Sequence, residues 1–268
     1  MQHMTLCIAI LSMIGLTACG GDNAQTTAPT DTKPKITTLQ IATEGAYAPF
    51  NYTTNDGKLA GFDVDLTNAL CAKMNVTCEV VAQDWDGIIP ALKTGKYDAI
   101  VSAMSITPER SEQVAFSEPY FANTLVFIGH KDKPFDDKNT DTLKSLKVAA
   151  QNSTIASQWF SANYPDVKIQ LYPTLDGAFM DLGSGRADIV ISDKLPAVSW
   201  LKSDLGKDFA LKSGDIDIND RFAIAINPND TKLLGEFNQA LADIKADGTY
   251  DKLVVQHFGE AMLDNLPK

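Results

Sequence analysis

Short apolar strands alternate with amphipathic helices through most of this chain, and that alternation limits its possible folds more than any other feature. Residues 39–43 read as a strand, 61–74 as a helix, 76–82 as a strand, 85–93 as a helix and 98–102 as a strand. In the first helix Phe62, Leu66, Ala69, Leu70 and Met74 recur at helical spacing, and Thr94-Gly95 closes the second. The second half repeats the logic. Strands at 146–151, 167–171 and 188–192 alternate with helices at 154–163, 175–182 and 195–202, the last of them capped by Asp193. This pattern predicts α/β sheets with helices on both faces. Two apolar segments, 124–129 and 222–226, fit no local strand–helix unit and read as strands crossing between two lobes. Helices at 232–245 and 250–258 have no strand after them, so they are expected to pack back on the first lobe.

The 268 residues are 44% apolar, enough for one large core or two modest ones. A net charge of −11 leaves no basic stripe to neutralise phosphates, which argues against a nucleic-acid partner. The acidity suits a cationic small ligand, and solubility alone also accounts for it.

The N-terminus differs from the rest. Residues 6–16 form an apolar run too short to span a bilayer comfortably. It ends in Leu16-Thr17-Ala18-Cys19-Gly20, which resembles a bacterial lipobox, so Cys19 is expected to carry lipid at the mature N-terminus. The residues before the run lack Lys and Arg, a departure from such signals that leaves the start codon open. Gly20 stands where an aspartate would favour inner-membrane retention. Residues 1–19 are thus read as a lipoprotein signal and residues 20–35, rich in Thr, Asp, Ala, Gly and Pro, as a flexible linker. Either this signal or an ordinary cleaved one implies export. Cys7 lies inside the signal and Cys19 takes the lipid, which leaves Cys71 and Cys78. They fall late in one predicted helix and early in the next strand, and an oxidising compartment favours a disulfide between them. So short a ring stabilises by roughly 2 kcal/mol on the loop-closure model. Two cysteines and three scattered histidines give no metal-ligand spacing.

From about residue 36 to 258 the chain resembles bacterial periplasmic amino-acid-binding proteins of the polar amino acid transport type. It is similar in particular to the lysine/arginine/ornithine-, histidine- and arginine-binding proteins. The resemblance rests on an ordered set of segments: Ala42-Thr43-Glu44-Gly45-Ala46-Tyr47-Ala48-Pro49-Phe50, Gly61-Phe62-Asp63-Val64-Asp65-Leu66, Trp85-Asp86-Gly87-Ile88-Ile89-Pro90-Ala91-Leu92, Tyr97-Asp98-Ala99-Ile100, Ser105-Ile106-Thr107-Pro108-Glu109-Arg110 and Asp247-Gly248-Thr249-Tyr250. The Cys71–Cys78 spacing is similar to that of the dibasic binders. The resemblance implies a two-lobed periplasmic-binding-protein fold of type II with two crossing hinge strands. Lobe one would comprise 36–123 and 222–268, and lobe two 124–221.

It also implies residue roles. Arg110 follows a strand end, where ligands collect in open α/β sheets, and its guanidinium would fork onto an α-carboxylate. A surface ion pair with Glu109 or Glu112 is the plain alternative. Ser102 and Ser105 would offer a carbonyl and a hydroxyl to the α-ammonium. Asp193 would pair with that ammonium while capping its helix. The turn Asn152-Ser153-Thr154 would present helix N-terminal amides to the carboxylate, with Ser153 and Thr154 at the ligand, or would be simple capping. Ile155 departs from the polar residue some dibasic binders carry. Tyr47 and Trp85, read as aromatics at strand-to-helix junctions, would flank the ligand side chain, by order 1 kcal/mol each for a cation. Glu44 would select a cationic tail. Related arginine binders carry Glu here, lysine/ornithine/histidine binders Asp, and a neutral ligand would leave it buried unpaired. Asp84 and Asp86 are lesser candidates for the same charge. Trp159, Phe160, Phe179 and Trp200 read as core, and His130 and His257 as surface.

The implied protein is a monomeric, lipid-anchored, extracytoplasmic binding protein for a basic amino acid, with no cofactor, handing its ligand to an ABC permease and its ATPase. Two rivals stand beside it. One is an enzyme similar to periplasmic cyclohexadienyl/arogenate dehydratases, with Glu44 as its acid group. The other is a sensor domain that keeps the cleft without a permease. No Ser–His–Asp arrangement, phosphate-cradling glycine loop or metal spacing appears.

Overall fold

The computed structural model describes residues 38–265, and the signal, the lipobox with Cys19 and the linker lie outside them. Two main sheets carry the fold. The first runs in the order Thr77–Ala82, Thr38–Thr43, Ala99–Ile100, Ala225–Ile226 and Ala115–Phe116. Its first three strands are parallel, and Ala225–Ile226 is antiparallel to both its neighbours. The second sheet runs Ile169–Tyr172, Val148–Gln151, Ile189–Asp193, Phe121–His130 and Phe209–Leu211, and Ile216–Phe222 also pairs with Phe121–His130. Each sheet is the floor of one lobe of an α/β fold.

The predicted elements are present with shifted ends. Residues 124–129 are the middle of the longer strand Phe121–His130. The predicted strand 222–226 divides: Ile216–Phe222 belongs to the second sheet and Ala225–Ile226 to the first. The chain therefore crosses at two adjacent segments. They are laced by bonds from the Tyr120 N–H to the Phe222 carbonyl (2.9 Å) and from the Ser117 N–H to the Ile224 carbonyl (2.9 Å). Burial on both sides erases polar–apolar alternation at the crossing, so its position is unreadable from pattern alone.

Helix Phe62–Met74 opens behind Gly61 at φ +116°, where a Cβ would lie 2.4 Å from the Phe50 carbonyl oxygen. Only glycine fits so close an approach. Asp63 and Asp65 in the first turn and Lys73 in the last suit the helix dipole. The terminal helices Thr231–Ala246 and Thr249–Phe258 do pack on this helix. Tyr250 meets the Phe62 ring edge-on at 6.1 Å, and His257 lies 2.8 Å from Asp65. His257 is thus half-buried against Phe62 and is not the surface residue expected. Phe160 and Phe179 are buried, and Trp200 stacks on Phe179 at 4.7 Å, all in the expected core. Cys71 and Cys78 form the disulfide, tying the end of the first helix to the edge strand Thr77–Ala82.

A small antiparallel sheet, Ala46–Tyr47, Asn51–Thr53 and Leu59–Ala60, was not foreseen. It places Tyr47 in a strand, not at a strand-to-helix junction. Behind it Phe50, Phe62, Phe121, Phe222 and Phe258 form one aromatic cluster with neighbouring centroids 5.0–6.3 Å apart, from Phe62–Phe258 to Phe50–Phe62. This cluster sits at the root of the crossing segments.

Candidate functional site

Between the carboxyl ends of the two sheets' strands lies a narrow cavity. Glu44, Tyr47, Trp85, Ser102, Ser105, Arg110, Thr154 and Asp193 all line it, together with Ala103, Gln151 and Ile155. Every expected site residue except Ser153 is therefore at one cavity.

Arg110 follows Thr107, whose hydroxyl caps the short helix Pro108–Ser111 by accepting the Arg110 N–H. Its side chain is 6% exposed, which rules out the surface pair with Glu109 or Glu112. One Nη donates to the Ser105 carbonyl (2.8 Å) and the other to the Ser153 carbonyl (2.9 Å). Five N–H groups in a planar fork leave donors over. The guanidinium lies 5.1 Å from the Trp85 ring centroid, and the Trp85 indole N–H donates to the same Ser153 carbonyl (3.3 Å). Ser153 sits at φ +56°, and its carbonyl joins Arg110 and Trp85. Desolvation lowers the Arg110 pKa, while Asp220 and Asp193 pull it up.

Asp193 ends strand Ile189–Asp193 and stands before helix Lys194–Leu201, yet its side chain caps nothing. The expected capping role is wrong. Its carboxylate accepts instead from the Tyr47 hydroxyl (2.5 Å) and from Asn123 Nδ2 (2.7 Å). The same Asn123 amide donates to Asp220 (2.8 Å), which also accepts from the Ser105 hydroxyl (3.1 Å). Burial raises the pKa of both aspartates, and the Asp220 charge pushes Asp193 further, to about 7. Asn123 and Asp220 were missed. They are register partners across the second sheet, and a buried acid in an otherwise alternating strand was the available signal.

Thr154 forms a capping box with Ser157 ahead of helix Ile155–Asn163, and its hydroxyl also donates to the Gln151 carbonyl. Capping therefore occupies the Thr154 side chain, and the Ile155 and Ala156 N–H groups at the helix start are the ones without an intrahelical acceptor. The Ser102 hydroxyl accepts the Glu44 N–H (2.9 Å).

Glu44 is 8% exposed and so is not a solvent-facing acid. Its carboxylate accepts from Gln151 Nε2 at 2.7 Å. Burial pushes its pKa up to about 7, partly offset by that bond and reinforced by Asp176, Asp86 and Asp84. Asp84 and Asp86 themselves are exposed at the rim, where Asp86 accepts from Asn152 (3.1 Å). Gln151 was also missed, though it ends a parallel strand, the place where such sites form.

The chain matches the family model "bacterial extracellular solute-binding proteins, family 3" over residues 39–260. It is 38% identical to the ABC transporter arginine-binding protein 1 of Escherichia coli K12, over 82% of this chain and 90% of that protein. It is 35% identical to the lysine/arginine/ornithine-binding periplasmic protein of the same organism, over 82% and 87%. Among solved structures it is similar to an ancestral arginine-binding protein bound to arginine, with a TM-score of 0.79, 35% identity, and coverage of 83% of this chain and 98% of that one. These relatives are named as binding proteins, not enzymes.

Proposed function

The chain belongs to the bacterial extracellular solute-binding proteins of family 3, and from that premise we propose that it captures basic L-amino acids, arginine foremost, for an ABC importer. The observation that carries this reading is Glu44: a buried carboxylate at a cavity wall, with no Lys or Arg among the described residues paired to it. A cationic ligand tail supplies the missing charge, whereas a neutral tail leaves the carboxylate buried unpaired. Arg110 and the amides that open helix Ile155–Asn163 take the α-carboxylate. Asp193, with Ser102 and Ser105 beside it, takes the α-ammonium. Tyr47 and Trp85 flank the methylenes. Since the ligand touches residues of both lobes, binding favours the closed arrangement.

In this reading lobe one is 36–123 with 222–268 and lobe two is 124–221. The protein is a monomer held at a bacterial membrane by lipid on Cys19, facing a permease and its ATPase. Calorimetry across the twenty amino acids tests the ligand. Arginine or another basic amino acid should bind at micromolar strength or tighter, near −8 kcal/mol or better, without turnover. Saturable binding confined to neutral or acidic amino acids overturns it. Fatty-acid labelling that disappears in Cys19→Ala tests the anchor.

A further inference from the structure

Asp63 stands in the first turn of helix Phe62–Met74, is 1% exposed and does not line the cavity. Its carboxylate accepts from two neutral side chains, Asn51 Nδ2 (2.8 Å) and the Tyr120 hydroxyl (2.9 Å). Each donor relays the contact to a main-chain N–H. Asn51 Oδ1 accepts from the Gly45 N–H (2.9 Å), and the Tyr120 oxygen accepts from the Ala103 N–H (3.0 Å). Tyr120 has one hydroxyl proton, so giving it to Asp63 leaves the oxygen free to accept. The Asn51 amide is fixed likewise, nitrogen toward the carboxylate and oxygen toward Gly45. Gly45 follows Glu44 and Ala103 follows Ser102, and the Ser102 hydroxyl accepts the Glu44 N–H (2.9 Å), which closes a ring of bonds on the cavity side. Ala103 lines the cavity at φ +44°, a left-handed conformation that an alanine keeps only when its surroundings hold it there. Burial pushes the Asp63 pKa up to about 6, and the bonds from Asn51 and Tyr120 hold it down, so the ionised carboxylate accepts at neutral pH.

We infer that Asp63 is a positioning residue for ligand capture: from behind the cavity, one buried carboxylate sets both main-chain turns that face the ligand, the one after Glu44 and the one between Ser102 and Ser105. The inference rests on the proposed capture of basic amino acids, since those turns carry the groups assigned there to the cationic tail and the α-ammonium. Only a carboxylate serves both relays. It offers acceptors alone, whereas the amide of an asparagine accepts from one relay and sets its NH2 against the other. A turn cut from its relay keeps a buried N–H without an acceptor and relaxes out of its geometry. Arginine and lysine share an α-ammonium and a cationic tail, so Asp63 sets the strength of capture and not the choice between them.

The test compares wild type, Asp63→Asn, Tyr120→Phe and the double variant by calorimetry, each well below its own Tm. Asp63→Asn should bind arginine about ten- to a hundredfold more weakly, the range for a hydrogen bond to a charged group, and lysine should fall by the same factor to within about threefold. Tyr120→Phe cuts one relay and keeps the ring. It should lose about three- to tenfold, and the double variant no more than about threefold beyond Asp63→Asn alone, because both act through one network. Amide hydrogen exchange on the ligand-free protein separates positioning from a general loss of stability. The Gly45 and Ala103 amides in Asp63→Asn, and Ala103 alone in Tyr120→Phe, should speed up about tenfold beyond any change in strand Val148–Gln151 of the other sheet. Arginine affinity within about threefold of wild type in Asp63→Asn, losses that simply multiply in the double variant, or exchange that rises equally across both sheets overturns the inference while capture stands. Where Asp63→Asn fails to fold, Tyr120→Phe decides alone, and unchanged arginine affinity or unchanged Ala103 exchange overturns it. A wild type that binds no basic amino acid overturns the capture reading and this inference with it.

Discussion

Replacing Glu44 by Gln separates charge from shape at the selective end of the cavity. Burial between the lobes pushes the Glu44 pKa up to about 7, so at pH 7 about half of such carboxyls are protonated. Pairing with a cation requires the ionised form. The sign follows: raising the pH ionises Glu44 and strengthens binding, and lowering it weakens binding. Between pH 8 and pH 6 the ionised fraction falls from about 0.9 to about 0.1, so arginine should bind about tenfold more weakly at pH 6 from this group alone. At pH 7 each arginine bound should displace about half a proton from Glu44, visible as a dependence of calorimetric heat on the buffer's ionisation enthalpy. Glu44→Gln removes a desolvated ion pair and should weaken arginine by about 2–5 kcal/mol, or about 30-fold to several thousandfold. Asp193 and Asp220 titrate for every amino acid through the shared α-ammonium, so their contribution survives in the variant, and the difference between the two pH profiles belongs to Glu44. If Glu44→Gln bound arginine within threefold of wild type, or if the two profiles superposed, Glu44 would not be the partner of the cationic tail.

Asp193→Asn should weaken arginine, lysine and ornithine by a similar factor, about 30-fold or more, because it removes the partner of a group they share; calorimetry on all three gives the comparison. The Cys71→Ser/Cys78→Ser double variant should lower stability by about 2 kcal/mol and Tm by about 4–8 °C, with arginine affinity unchanged, since the staple lies on the edge strand away from the cavity. Gly61→Ala should cost about 1–3 kcal/mol from the strained φ and more from the clash of the new methyl with the Phe50 carbonyl, seen as a Tm drop of several degrees.

Periodic burial and turn residues were legible, and partners brought in from far along the chain were not. Helix Trp85–Lys93 has the expected ends because its apolar repeat and the Thr94-Gly95 stop are local signals. Glu44, Arg110 and Asp193 were singled out by their place after strand ends together with the family resemblance, and all three line the one cavity. The capping role given to Asp193 failed because an aspartate before a helix reads as a cap, while Tyr47 and Asn123, 146 and 70 residues away, turn it toward the cavity. Asp63 looks like a helix-dipole acid, but it is buried and accepts from Asn51 and Tyr120. The small sheet around Tyr47 has strands of two or three residues, too short for period two to register. Gln151 was read only as the end of a strand. Its bond to Glu44 is a property of packing.

The aromatic cluster at the root of the crossing segments joins helix Thr249–Phe258 to the two stretches by which the chain passes between the sheets. Phe258 touches Phe121 at 5.1 Å and Phe50 at 5.4 Å, and Phe121 and Phe222 belong to the two crossing segments. A twist of those segments would thus reach helix Thr249–Phe258 through direct ring contacts. A dye placed after Phe258 would sit beside those stretches, outside the lining of the cavity, and would turn the molecule into an optical gauge of amino-acid concentration.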